Sequence, residues 1–372
     1  MKKLLLVVIF FILGSVIVFA SGTLNQDSSA LTSKLQSILD DAIADSKTPG
    51  AVLLISSPKT GTIVVASGYS DEENETPMTI NNNFRLASMS KSFLAVAMLK
   101  LIEQGKLNLD DKLENLLPDN IVVSRIPNGD KVTIHQLLHM RSGIPNYLSN
   151  PVYDEKVEND PNHVWVPEDG IKLVYDDEVK FAPDSSYDYS NTNYILLQAV
   201  IEHLTDEPIA KLFHKDIFNP LHMNNTYVEV QDDKSSGVFH GLTTHGYRLN
   251  DDKKLIDVTK VNDGLGLADG GTISTAQDIA KFVNGLFVSK SLLSDTSLTS
   301  MKDFQGDDHY GLGLYKDDVD GQTGWTHDGS SAGFSGEYYY FPDSDLILVL
   351  LTNLKSSDIL VEVPEKVLQA LK

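Results

Sequence analysis

Four short apolar runs, two near each end of the chain, limit the possible folds more than any other feature of the sequence. Residues 51–56 and 62–68 are rich in β-branched and aliphatic side chains and are joined by Ser57-Pro58-Lys59-Thr60-Gly61, which predicts a strand, a turn and a strand. Residues 336–341 and 346–351 repeat the arrangement around Pro342-Asp343-Ser344-Asp345. Between the two pairs the periodicity changes to that of helices. Phe93, Leu94, Ala97, Met98, Leu101 and Ile102 share one helical face, and further helical patterns run over 193–204, 207–217 and 275–288. Residues 31–46 and 363–371 add an amphipathic helix at each end. The expectation is an α+β chain: an antiparallel sheet lobe drawn from both termini (about 30–75 and 310–372) flanked by helices, and a mostly helical inserted lobe (about 76–309). No period of 20–50 residues recurs, which excludes a solenoid or propeller. A cleft between lobes is a common place for an active site.

The charge of −22 over 372 residues supplies no basic face to neutralise phosphates, so nucleic acid is excluded as a partner. There is no cysteine, hence no disulfide, no thiolate catalysis and no thiolate metal site. Residues 1–20 open with Lys2 and Lys3, continue as an apolar run and end on Val18-Phe19-Ala20. They read as a secretory signal peptide, with an uncleaved anchor as the alternative. The expectation is an exported, periplasmic, cell-envelope or secreted protein, with membrane contact only through residues 1–20 if they stay attached. Residues 21–372 are expected to form a single domain with those two lobes.

Three short motifs carry chemistry. Ser88-Met89-Ser90-Lys91 opens the apolar helix. A serine at a first helical turn exposes its hydroxyl near the positive end of the dipole, and a lysine three residues on lies on the same face. That lysine can take the serine proton only if neutral. Holding it neutral at pH 7–8, against an ordinary pKa of ~10.4, costs roughly 3–4 kcal/mol, which burial in a cleft can supply. Tyr189-Ser190-Asn191 precedes another apolar helix; a phenol relays protons and a carboxamide holds a substrate amide, although Ser and Asn also cap helices. His327-Asp328-Gly329-Ser330 leads into the C-terminal strand pair, and a glycine there lets a substrate approach the backbone.

Four other matches fail on context. Lys59-Thr60-Gly61 lies in the first hairpin turn, as does a second Ser-x-x-Lys at Ser56 to Lys59. Gly329-Ser330-Ser331-Ala332-Gly333 spells a nucleophile elbow, but no histidine follows it, and that chemistry needs one downstream. His135-Gln136-Leu137-Leu138-His139 resembles a zinc-protease helix with glutamine in place of the catalytic glutamate.

In their order and spacing, Ser-x-x-Lys, Tyr-x-Asn and His-x-Gly resemble the β-lactamase-related serine hydrolases. These include penicillin-binding-protein-type D-alanyl-D-alanine carboxypeptidases, class C β-lactamases and related esterases. Residues 84–91, 106–111, 133–144 and the glycine-rich 264–275 resemble further family blocks, and the likeness extends over about 30–355. The resemblance implies that Ser88 becomes acylated, that Lys91 is the base and that Tyr189 passes the proton to the leaving group. It implies that Asn191, His327, Gly329 and Ser330 contact substrate, and that the backbone amides of Ser88 and Ser330 form an oxyanion hole. No metal or organic cofactor is implied. The partners are a peptidoglycan stem peptide, an ester or a β-lactam.

Histidine at 327, where β-lactamases usually carry lysine, favours a carboxypeptidase, with an esterase as alternative and a β-lactamase third. Asp184 and Thr326 stand where the family often has glycine. One difficulty attaches to a carboxypeptidase: its substrate ends in a carboxylate, for which arginine is the usual clamp. The four arginines, at 85, 125, 141 and 248, all fall outside the three motifs.

Overall fold

A computed structural model describes residues 26–160, 163–231, 241–261, 264 and 266–372. The leader expected over residues 1–20 lies outside the described residues, as does the middle of the 228–260 excursion. Seven strands form the main sheet in the spatial order Thr76–Pro77, Gly61–Asp71, Gly50–Ser57, Leu346–Thr352, Ser335–Phe341, Gln322–Ser330, Tyr315–Val319. Every neighbouring pair is antiparallel. The two termini meet at its centre, with Leu53 opposite Leu350.

The central strands are apolar throughout because both faces of the sheet are covered. Leu53, Ile55, Leu348 and Leu350 pack with Leu35 and Leu39 of the N-terminal helix Gln26–Asp45, and with Ile359 and Val363 of the C-terminal helix Ile359–Leu371. The alternate residues Val52, Leu54, Val349 and Leu351 join the larger core, which contains Phe93 and Leu94 of the helix Ser90–Glu103. Pro364 obscures the start of the last helix in the sequence, since proline removes an interior hydrogen bond. Full burial of Ile359 and Val363 holds that first turn in place.

Between the sheet strands, the helices Asn191–Thr205, Ile209–Phe213 and Ala276–Val283 occupy the segments whose periodicity predicts them, and the latter two each run on into a wider π turn. The acidic stretch 150–180 contains two short helices, Pro151–Asn159 and Pro167–Lys172. A three-stranded ribbon of Phe84–Arg85, Thr272–Ser274 and Tyr227–Val228 lies just ahead of Ser88. A separate hairpin pairs Tyr247–Leu249 with Leu255–Asp257.

Candidate active site

Ser88 sits in a tight turn, Ala87–Met89, that runs directly into the helix Ser90–Glu103. Ala87 has a φ of 48°, a left-handed conformation that disfavours a residue with a Cβ and is a form of strain typical of functional sites. The turn is held from behind, where the Leu86 amide donates to the Thr272 carbonyl at 2.8 Å. It is also held in front by the strand Gln322–Ser330. A Cβ on Gly329 would lie 2.1 Å from the Leu86 oxygen and 3.0 Å from the Ser88 nitrogen, so only glycine lets this strand run against the nucleophile turn. The third position of the His-x-Gly motif thus has a steric cause.

Lys91 is fully buried. Its Nζ lies 3.0 Å from Ser88 Oγ, 2.7 Å from Asn191 Oδ1 and 2.7 Å from the Asp269 carbonyl oxygen. Burial pulls its pKa down to about 8, against the opposing pull of the Asp269 and Asp328 carboxylates. The three acceptors match the three protons of an ammonium. When the amine is neutral, a carboxamide oxygen and a backbone carbonyl can still only accept. The two remaining N–H bonds therefore stay on Asn191 and Asp269, and the lone pair is left facing the Ser88 hydroxyl. In this geometry the neutral lysine can act as a base toward Ser88.

Tyr189 is brought to the same point from the other side, its ring 5.1 Å from Lys91 Nζ. Burial raises its pKa well above the ordinary phenol value, opposed by the nearby Ser88 hydroxyl. Its hydroxyl is buried without a full hydrogen bond, so its proton is not committed elsewhere. The loop that carries it rests on the 133–144 block. The Asp188 amide donates to the Met140 carbonyl, the Asp184 amide to the Arg141 carbonyl, and Ser142 Oγ to Asn193 Oδ1. Asp184 has a φ of 68°, the conformation for which the family uses glycine and which aspartate tolerates better than most residues.

His327 is 1% exposed. Burial lowers its pKa to about 4, so the ring is neutral. Nδ1 lies 2.7 Å from the Asp328 carbonyl, which only accepts, so Nδ1 carries the proton. Nε2 is then an acceptor, and the Tyr310 hydroxyl stands 3.4 Å from it. His327 therefore contributes no positive charge to the site. Ser330 ends the same strand and faces the open cleft.

That cleft, about 1090 Å³, is lined by Ser88, Asn191, Asp269 and Ser330, together with Tyr147 and Arg85. Arg85 is held by Glu229 at 2.8 and 3.1 Å. The motifs do not include Asp269, Tyr147 or Tyr310. Asp269 lies inside the glycine-rich 264–275 block, and its Oδ2 accepts from the Tyr147 hydroxyl at 3.1 Å. Its hydrogen bond with Lys91 is made by a backbone carbonyl that every residue possesses, so side-chain identity carries no signal of that contact, although its carboxylate also acts on Lys91 through space.

The failed matches stay apart from this chemistry. Residues 58–60 form the first hairpin turn. Ser331 follows a strand with no helix behind it; its amide donates to the Phe334 carbonyl. His139 is buried with Nε2 2.8 Å from the Asp303 carbonyl. No group of three or more candidate metal ligands occurs among the described residues.

The chain as a whole is similar to known proteins. The Beta-lactamase family model matches residues 35–372. Penicillin-binding protein 4* of Bacillus subtilis (strain 168) is 28% identical over 302 residues, covering 77% of this chain and 64% of that protein. Protein flp of Staphylococcus aureus (strain MRSA252) is 28% identical over 204 residues, which is 54% of this chain and 39% of that protein. The chain thus spans less than two thirds of the length of these curated relatives. Among solved structures, D-amino acid amidase from Ochrobactrum anthropi SV3, complexed with L-phenylalanine amide, superposes with a TM-score of 0.79 at 27% identity. That alignment covers 92% of this chain and 98% of the amidase. A family match that begins in the N-terminal helix and ends on the last residue, together with a shared fold, shows that this chain belongs to the Beta-lactamase family and is a serine hydrolase.

Proposed function

We propose that the chain is an amide hydrolase of the D-alanyl-D-alanine carboxypeptidase type, acting on cell-envelope peptides after export through residues 1–20. Ser88 is its nucleophile and Lys91 its base. The observation that carries this reading is the Ser88–Lys91 contact of 3.0 Å around a buried lysine whose pKa is about 8.

Ser88 Oγ attacks the carbonyl carbon while its proton passes to Lys91 Nζ. The oxyanion is held by the backbone amides of Ser88 and Ser330, each worth about 3–4 kcal/mol in the transition state. The C–N bond breaks as Tyr189, in contact with Lys91, hands the proton to the leaving nitrogen. Water then loses its proton to the same pair and attacks the Ser88 ester, releasing the acid and restoring the serine. Asn191 both orients Lys91 and presents an amide N–H group to the substrate. The likeness to a D-amino acid amidase and to penicillin-binding protein 4* supports an amide as the bond cleaved. The neutrality of His327 favours ester hydrolysis as a second reading, because an ester leaving group needs no cation beside it.

Residues 21–372 incubated with a fluorescent penicillin and followed by intact mass test the proposal. Stable labelling of the protein that is absent in Ser88→Ala is expected. Labelling that persists in Ser88→Ala overturns the assignment. Absence of an adduct together with Ser88-dependent cleavage of simple acyl esters replaces the amidase with the esterase.

A further inference from the structure

Asn191 and Tyr194 are three residues apart on the helix Asn191–Thr205, so their side chains share one face. Asn191 meets Lys91 through a hydrogen bond of 2.7 Å. Tyr194 stands beside it with its ring over the same nitrogen, the centroid 5.7 Å from Lys91 Nζ. The Tyr189 ring lies at 5.1 Å. The ammonium position therefore has two aromatic rings as well as oxygen acceptors around it. Both distances fall within the ~6 Å over which a ring face attracts a cation. Tyr194 belongs to none of the three motifs and is fully buried, so it has no surface to offer a substrate.

The ring is fixed at its hydroxyl end. The Tyr194 hydroxyl donates to the Leu138 carbonyl at 3.0 Å and accepts from the Tyr310 hydroxyl at 3.3 Å. A Cβ on Gly313, whose φ is 74°, would lie 2.6 Å from Ala95 Cβ and 3.2 Å from that hydroxyl, so the chain at Gly313 closes over it. The other charged and titratable groups facing Lys91 are the Asp269 and Asp328 carboxylates, which raise its pKa, and neutral His327. In acylation Lys91 gains a proton where burial has removed its hydration. A carboxylate touching Nζ would keep the amine charged at rest. A ring face attracts the ammonium more weakly and takes no proton from it, so it stabilises the charge without fixing it in the resting state.

We propose that Tyr194 is a positioning residue for the base: its ring face, together with that of Tyr189, stabilises the Lys91 ammonium formed when Ser88 loses its proton. Tyr194 exchanges no proton itself. The proton passes from Ser88 Oγ to Lys91 Nζ and on to the leaving group. The proposal rests on the reading of Lys91 as the base, and makes the charge state of that base depend on the electron density of a ring that no substrate touches.

Fluorination tests the ring face while keeping its shape, because fluorine draws negative charge away from the face of the ring. The series starts from Tyr194→Phe and continues with mono-, di- and trifluorophenylalanine at the same position. In each protein the Lys91 Nζ signal is titrated by NMR with isotope-labelled lysine, Lys91→Gln serving to assign it. The rate of Ser88 acylation by penicillin or a simple acyl ester is measured against pH in parallel. The Lys91 pKa is expected to fall stepwise with fluorination, by about half a unit to one unit across the series. The rising limb of acylation is expected to follow it to lower pH, while thermal midpoints change little. If Tyr194→Phe does not fold, fluorotyrosines, which keep the hydroxyl, supply the same series. A Lys91 pKa that is the same throughout the series overturns the role of Tyr194 and leaves Lys91 standing as the base. A pKa that falls while the acylation profile stays put overturns Lys91 as the base, and the positioning role with it.

Discussion

The two faces of the main sheet are packed from different materials. On the outer face Leu53, Leu348 and Leu350 meet Leu39, Ile359 and Val363, a contact of aliphatic groups spaced by strand and helix periods. Glu337 is its polar exception, a buried carboxyl whose pKa burial pushes well above the usual range. On the inner side the core runs up to Lys91, Asn191, Asn193, Ser92 and His327, all buried and polar. Such groups are destabilising unless each finds a partner. Here the partners come from distant segments: Lys91 from Asn191 and Asp269, Ser92 from the Gly313 carbonyl, Ser142 from Asn193. The outer face holds the sheet together, whereas the inner side spends part of that stability to keep a lysine dry. Natural proteins break packing rules mainly where function requires it.

Substitutions on the two sides should therefore separate activity from stability. Ser88→Ala should give the largest effect, a loss of at least about 10⁴-fold in kcat/KM, with a thermal midpoint close to the parent's. A large drop in that midpoint would mean that the nucleophile turn is a structural element. Leu350→Ala should do the opposite. It empties a fully buried site on the outer face and should cost about 2–5 kcal/mol by denaturant unfolding, while kcat of the folded fraction stays the same.

A third change probes the coupling between the faces. Asp328, on the site strand, raises the Lys91 pKa through space. In the proposed mechanism Lys91 reacts as the neutral amine, so kcat/KM should rise with pH through about 8. Asp328→Asn removes a charge that favours the ammonium, and should move that rising limb to lower pH by less than about one unit, since the side chain is 68% exposed. A shift to higher pH would contradict the electrostatic account. The smallest effect is expected at Asp184, whose φ is 68°. Asp184→Gly relieves a left-handed backbone but loosens the unfolded chain, so stability should change by less than about 1 kcal/mol. A larger loss would show that the Asp184 side chain supports the Tyr189 loop.

Legibility followed the same division. The four apolar runs, the helical faces at 93–102 and 193–204 and the blocks around Ser88 and Tyr189 were readable because each is a local pattern with its own period or order. The sequence places His327–Ser330 only as a lead into the C-terminal strand pair, yet these residues belong to a strand of their own that begins at Gln322. Its first half, Gln322-Thr323-Gly324-Trp325-Thr326, has no alternation strong enough to announce a strand and is recruited by pairing with Tyr315–Val319. The first turn of the last helix was hidden by Pro364, which burial of Ile359 and Val363 overrides.

By itself the sequence determined which reactive groups this protein has, their order along the chain and the apolar runs that build its sheet. Only the tertiary structure decided their electrical state and their partners. Lys91 is brought down to a pKa of about 8 and His327 is uncharged because burial removes the water that stabilises a cation. The Asp269 carbonyl meets Lys91 across 178 positions, and the Tyr194 ring meets it from another helix. A residue's charge state depends on the solvent and fields around it, and those are set by neighbours in space that no local pattern names.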